Sequence, residues 1–174
     1  FYADDTQLYV SCRLENIDSV RLRLMACAAD VSQWCASRRL QLNADKTEVI
    51  WFGSRSNLDK LSGRDHTLSF DAETIHPVTT VRDFGVYLDS ELSMKHHISK
   101  VAAACYYHLR RLRQVRRRVG QDIAVRLVMA LITTRLDYCN ALLASLPRST
   151  LQPLQLQRVQ NVAAKLILEL GPRD

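Results

Sequence analysis

Phe1-Tyr2-Ala3-Asp4-Asp5-Thr6 opens the chain, and Leu8-Tyr9-Val10 follows closely. Two adjacent carboxylates flanked on both sides by aromatic and β-favouring residues read as a strand, a turn and a strand. Such a turn presents Asp4 and Asp5 at one end of a sheet. Asp also favours turns for local reasons, so an Asp-Asp pair has a purely structural explanation. The chemical alternative is a cation site. Mg²⁺ takes oxygen ligands and keeps waters and substrate phosphates in the rest of its shell, so one or two carboxylates suffice per ion. A pair of such ions activates a hydroxyl nucleophile and stabilises the leaving phosphate oxygens. The rest of the chain decides between the two readings.

Downstream, Ile17, Val20, Leu24, Cys27, Ala28, Val31, Trp34 and Cys35 recur at spacings of three and four, the rhythm of one helix face. This predicts a helix over 17–38, with Asn16 as its N-terminal cap, Asp18 matched to the dipole, and Arg38 and Arg39 at the other end. Asn43-Ala44-Asp45 makes a turn, and Lys46 to Phe52 reads as a strand closed by Gly53-Ser54. Residues 54–66 are polar and read as a surface loop. Leu68-Ser69-Phe70 and Thr74-Ile75 flank Asp71-Ala72-Glu73 as a hairpin, and Val78 to Leu88 supplies another strand region. Strands with a helix packed on one sheet face make an α+β layer.

Composition bounds the class. The chain has 174 residues, 47% of them apolar, enough to bury a core. Lys plus Arg outnumber Asp plus Glu by 24 to 18, a net charge of +6 that suits a polyanionic partner. Cys12, Cys27, Cys35, Cys105 and Cys139 are scattered and never stand as Cys-x-x-Cys, which argues for reduced thiols in an intracellular protein and against a disulfide framework or zinc site. No apolar run approaches the roughly 20 residues needed to span a bilayer, so no membrane partner is expected. With no initiator Met and a start at a strand-turn, the chain is expected to be part of something longer.

From about residue 95 the character changes to helical. Ile98, Val101, Ala102, Cys105, Leu109, Leu112, Val115 and Val119 trace one face. Lys100, Arg110, Arg111, Arg113, Arg117 and Arg118 lie round the other sides. Between Leu92 and Gln121 there is no acidic residue, while Lys95 and Arg116 add to the basic set. A charged helix face is often simply solvated. Charge of one sign with Tyr106, Tyr107 and His108 alongside also meets the requirement for contact with a phosphate backbone. Asp122 to Leu136 is predicted as a second helix, apolar on most sides and largely buried. A short element follows from Asp137 to Leu146, and a last helix is capped by Thr150, striped by Leu151, Leu154, Val159, Val162, Leu166 and Leu170, and ended by Gly171-Pro172.

Three strings together resemble one family. Phe1-Tyr2-Ala3-Asp4-Asp5-Thr6 resembles the Tyr-x-Asp-Asp signature of reverse transcriptases in the form usual for non-LTR, or LINE-type, retrotransposons. Leu40-Gln41-Leu42-Asn43-Ala44-Asp45-Lys46-Thr47-Glu48 is similar to the palm motif that follows it there. Val81-Arg82-Asp83-Phe84-Gly85-Val86-Tyr87-Leu88-Asp89 resembles the strand that closes the palm, with Phe84 where Leu is commoner. Leu136-Asp137-Tyr138-Cys139-Asn140 is a further recurrent string of the family, to which no catalytic role attaches.

The resemblance implies a partial polymerase palm over 1–89, antiparallel strands with a packed helix, and a helical thumb or connector over 90–174. It implies RNA-directed DNA polymerisation, a nucleotidyl transfer in which a primer 3′-hydroxyl attacks the α-phosphate of a deoxynucleoside triphosphate on an RNA template. Asp4 and Asp5 would hold two Mg²⁺ ions, and Lys46 would neutralise the developing pyrophosphate charge or give it a proton. A Lys after a turn is otherwise most often solvated. Phe84 and Gly85 would grip the DNA primer, Gly allowing close backbone approach. Lys100, Arg110, Arg111, Arg113, Arg117 and Arg118 would bind nucleic acid independently of sequence. The family takes another catalytic Asp and its nucleotide pocket from an upstream segment. The chain by itself is therefore expected to be a C-terminal part of the enzyme, inactive alone and nuclear or cytoplasmic. The alternatives are a non-catalytic basic nucleic-acid-binding remnant of a retrotransposon, and a relic without function.

Overall fold

Apolar residues at spacings of three and four wind into α1 (Ile17–Ser37). The computed structural model describes residues 6–61, 63, 66–70, 73–138, 140–144, 146 and 156–170. The chain is mixed α+β, and it divides into two units between Val81 and Arg82.

In the first unit, α1 buries Ile17, Val20 and Cys35, with Leu24, Ala28 and Val31 half-buried along the same face. Cys27 and Trp34, expected on that face, are exposed instead. Their positions fall at its margins. Asn16 does not cap with its side chain; a 3₁₀ turn, Leu14–Asn16, precedes the helix, and Ser19 Oγ donates to the Asn16 carbonyl at 2.8 Å. At the other end Arg39 takes a left-handed φ of 60° and the Leu40 N–H reaches back to the Cys35 carbonyl at 2.9 Å. That 6→1 bond is the Schellman ending, usually built on Gly.

Three further sequence expectations fail in this unit. Thr6 to Val10 forms no strand, and Tyr9 is 97% exposed. Lys46 to Phe52 is not a strand: Ala44–Lys46 is a 3₁₀ turn, Thr47 after it is extended, and Val49 makes an isolated parallel bridge to Pro77, with the Val78 N–H donating to the Val49 carbonyl at 2.8 Å. The predicted loop contains a helix, α2 (Arg55–Leu61), begun by Asn57 and Leu58 N–H groups donating to the Ser54 carbonyl. It buries Leu61. β1 (Leu68–Phe70) and β2 (Glu73–Ile75) pair antiparallel, Leu68 opposite Ile75 and Phe70 opposite Glu73, as the expected hairpin. A cavity of about 820 Å³ lies within the unit, lined mainly by apolar side chains including Leu24, Leu42, Val49, Trp51, Leu58 and Leu68.

β3 (Thr80–Asp83) and β4 (Val86–Asp89) form a second two-stranded sheet. Asp89 then anchors the approach to the long helix: its carboxylate accepts from the Ser93 N–H at 2.8 Å and from Ser93 Oγ at 3.0 Å. α3 (Lys95–Val115) follows, burying Ile98, Ala102, Cys105, Leu109 and Leu112 at the expected spacing and His97 beside them, while Val115, expected on that face, is exposed. A 3₁₀ turn (Arg116–Arg118) leads into α4 (Gln121–Val128), a π-helical turn (Met129–Thr133) and α5 (Thr134–Asp137). α6 (Ala141–Ala144) and α7 (Leu156–Leu168) complete the described elements.

The π turn has a packing reason. The buried residues Ala124, Val128, Ile132 and Leu136 recur at every fourth position. That spacing drifts round a 3.6-residue helix, and the wider π turn takes up the drift so that all four stay on one face. The segment is not apolar-buried on most sides as expected, since Ile123 and Met129 are each 52% exposed. Cys105, Ala102 and Val159 are fully enclosed at the centre of the α3–α7 packing, where small side chains let the helices approach. Val86, Met94, Ile98 and Leu143 form a second apolar cluster under the β3–β4 hairpin. α7 ends earlier than Gly171-Pro172: Glu169 is left-handed at φ 56°, and the Leu170 N–H bonds the Lys165 carbonyl at 3.0 Å.

Candidate nucleic-acid interface

The turn between β3 and β4 consists of Phe84 and Gly85, with φ values of 42° and 81°. A two-residue hairpin loop with positive φ at both positions is the geometry of a type I′ turn, whose preferred occupants are Asn-Gly. Gly85 fits at no steric cost. Phe84 does not: an aromatic residue in this region is strained, and the residue is 49% exposed. The hairpin thus keeps a half-exposed aromatic residue at its turn at a conformational cost.

Tyr138, the residue that leaves the C-terminus of α5, sits against this turn. Its hydroxyl donates to the Phe84 carbonyl, and a Cβ on Gly85 would lie 3.6 Å from its ring. Two of the strings singled out in the sequence therefore meet, although they lie 54 residues apart. No sequence signal foretold the meeting, because it is a tertiary contact between a strand turn and a helix end.

Beside the turn, Arg82 places its guanidinium carbon 5.7 Å from the Tyr87 ring centroid, and His96 lies 5.2 Å from the same ring. His97 is buried, its Nδ1 accepting from the Tyr87 N–H at 3.4 Å, and desolvation pushes its pKa below the ordinary histidine value. Neither Arg82 nor the histidines stood out in the sequence. The signal was available as basic and aromatic residues flanking the Phe84–Gly85 string.

On α3, Lys100, Arg110, Arg111 and Arg113 are all exposed, as are Arg117 and Arg118 on the turn after it. Lys100, Tyr107 and Arg111 stand at helical spacing on the face opposite the buried stripe. Arg111 donates to Tyr107 Oη at 3.0 Å and lies over its ring at 5.6 Å. His108 has a lowered pKa, from desolvation first and then from the positive charges of Arg135 and Arg111. Arg116 is different. Its guanidinium bonds the carbonyls of Leu166 at 3.0 Å, Ile167 at 2.8 Å and Val119 at 3.1 Å, so it serves the fold.

Asp4 and Asp5 lie outside the described residues. Paired carboxylates are the hard oxygen donors that Mg²⁺ takes. Among the described residues no three His, Cys, Asp or Glu side chains converge on a metal-sized site. Lys46 ends the 3₁₀ turn of the first unit, exposed, its N–H donating to the Asn43 carbonyl at 3.2 Å. It stands just ahead of the extended Thr47, not at the start of a strand. No described helix is long and apolar enough to cross a membrane.

The chain matches no protein-family model, no curated protein and no solved structure.

Proposed function

We propose that the chain is part of an RNA-directed DNA polymerase of the LINE type, contributing the end of its palm and its helical thumb or connector. The observation that carries this reading is the Phe84–Gly85 turn. Strain kept at an exposed aromatic residue is characteristic of functional sites, where a side chain must be presented in one place. Here it falls on the string read as the primer contact. The Tyr138 hydroxyl links that string to the Leu136-Asp137-Tyr138-Cys139-Asn140 string of the same resemblance. The exposed arginines of α3 supply sequence-independent attraction to phosphates, as movement along any template requires.

In this reading Asp4 and Asp5 hold Mg²⁺, which when bound supplies activation of the attacking 3′-hydroxyl and stabilisation of the leaving phosphate. Lys46 gives positive charge to the triphosphate. Phe84 contacts the primer strand, and Lys100, Arg110, Arg111, Arg113, Arg117 and Arg118 contact the backbone of the RNA–DNA duplex.

The test is binding of a primer–template duplex, followed by fluorescence anisotropy with and without Mg²⁺. The expected result is salt-sensitive duplex binding that the cation tightens. Changing both Asp4→Asn and Asp5→Asn removes the tightening and leaves the salt-sensitive part. Absence of duplex binding, or tightening that survives both substitutions, overturns the polymerase reading. Duplex binding with no cation-dependent part assigns the chain instead to a non-catalytic basic nucleic-acid-binding module, which the exposed arginine face favours independently of the carboxylates.

A further inference from the structure

From the contact between α5 and the β3–β4 hairpin, we propose that Tyr138 is a positioning residue for the Phe84–Gly85 turn, fixing the presentation of the Phe84 ring to a primer 3′ end. The inference rests on the reading of that turn as a primer contact and adds the residue that sets its geometry.

Three features point to it. A two-stranded hairpin is marginally stable by itself, and its turn moves unless something outside the hairpin holds it. The Tyr138 hydroxyl supplies such a hold by donating to the Phe84 carbonyl, the group between the two left-handed residues. Its ring also lies over Gly85, the position a side chain would fill, at ordinary van der Waals distance.

The anchor itself is rigid. Leu136 is buried two residues earlier in the main core, and the Tyr138 N–H still bonds the Thr134 carbonyl at 3.1 Å. On the far side, Leu143 shares an apolar cluster with Val86, the residue next to Gly85. The hairpin and the segment after α5 are thus tied at two places. The Val86–Leu143 cluster holds the strand just past the turn, and the Tyr138 contact holds the turn itself. Tyr138 is itself 53% exposed, so most of its ring is not serving the core. A tyrosine in that position gains from its hydroxyl what a purely packing residue would gain from burial.

The experiment compares the 174-residue chain with its Tyr138→Phe and Phe84→Ala variants. Each is titrated with an RNA–DNA duplex carrying a recessed DNA 3′ end and with a blunt duplex of the same sequence. Hydrogen exchange at the Gly85 and Val86 amides and the thermal midpoint are measured alongside. Losing one hydrogen bond should weaken recessed-end binding by Tyr138→Phe about three- to tenfold. Blunt-duplex binding should stay as in the parent chain and the thermal midpoint should fall by no more than about 2–4 °C, while exchange at the turn quickens. Phe84→Ala should lose the same end preference. If Phe84→Ala loses it and Tyr138→Phe does not, the positioning role is wrong and the primer reading stands. If neither variant changes the end preference, or the parent chain has none, the primer reading of the turn fails and the inference with it. If Tyr138→Phe weakens both duplexes equally, Tyr138 is a general structural residue and the proposal is overturned.

Discussion

Arg116 and Glu169 meet at 3.0 Å where the last described helix ends. The pair is asymmetric: the Arg116 side chain is 11% exposed and the Glu169 side chain 58%. The guanidinium also accounts for carbonyls of Leu166 and Ile167 that the end of α7 leaves without helical partners, and positive charge there complements the helix dipole. Arg116→Ala strands those carbonyls in a half-buried place and should cost about 2–3 kcal/mol, since bonds to charged groups are the stronger ones. Glu169→Ala leaves the carbonyl bonds intact and removes only a solvent-screened attraction, worth less than about 1 kcal/mol. Urea denaturation of the two variants checks the ranking; equal losses would mean that the ion pair, not the helix end, is what Arg116 stabilises.

The turn at Phe84–Gly85 predicts opposite signs for two neighbouring substitutions. Gly85→Ala forces a Cβ into a left-handed position at φ 81° and should destabilise by roughly 1–2 kcal/mol. The new methyl would meet the Tyr138 ring at 3.6 Å, an ordinary contact, so the cost is conformational. Phe84→Asn converts the pair to Asn-Gly, the preferred occupant of a type I′ turn, and should stabilise by about 0.5–1 kcal/mol. The same substitution should weaken primer–template binding. Denaturation midpoints and duplex titrations on one preparation read both quantities, and a Phe84→Asn chain that is less stable would contradict the strain assigned to Phe84.

The helices were legible because their signal is local. The 17–38 expectation met α1 at Ile17–Ser37, and the face running through Ile98, Ala102, Cys105, Leu109 and Leu112 is the one α3 buries. The strand expected at Lys46 to Phe52 failed for a different kind of reason. Val49-Ile50-Trp51-Phe52 has β-favouring residues, but a strand exists only through its partner, and among the described residues Val49 pairs only with Pro77. α2 is masked by its polar composition: Leu58 and Leu61, three apart behind Ser54, are a weak helical signal. Of the candidate site, the exposed arginines could be placed from periodicity. Tyr138 could not, because its partner is 54 residues away.

The arginines of α3 and the turn after it predict a graded salt effect. Arg110, Arg113, Arg117 and Arg118 are exposed, whereas Arg116 is engaged with carbonyls. Each phosphate contact removed should reduce the slope of log K against log salt by about 0.9 on duplex. Arg110→Ala, Arg113→Ala and Arg117→Ala combined should therefore flatten the slope by up to about 3 while leaving the thermal midpoint in place. Anisotropy titrations at several salt concentrations measure this. A slope indifferent to all three substitutions would place the nucleic-acid contact elsewhere.

His97 predicts how stability depends on pH. It is buried, its neutral ring accepts a bond from the Tyr87 N–H, and desolvation holds its pKa below the ordinary value. Unfolded, the same imidazole titrates near about 6.5. Above that pH both states carry a neutral ring and the full stability is present. As pH falls through about 6.5 the unfolded chain takes up a proton that the folded chain refuses, so stability declines until the lowered native pKa is reached. His108, also lowered, adds a smaller effect of the same sign. Urea midpoints should therefore drop between about pH 7.5 and about pH 5.5, and His97→Gln, which has no ring proton to gain, should make that drop shallower. A drop of equal size in His97→Gln would mean that His97 is protonated as readily in the folded chain as in the unfolded one, against its burial under Tyr87.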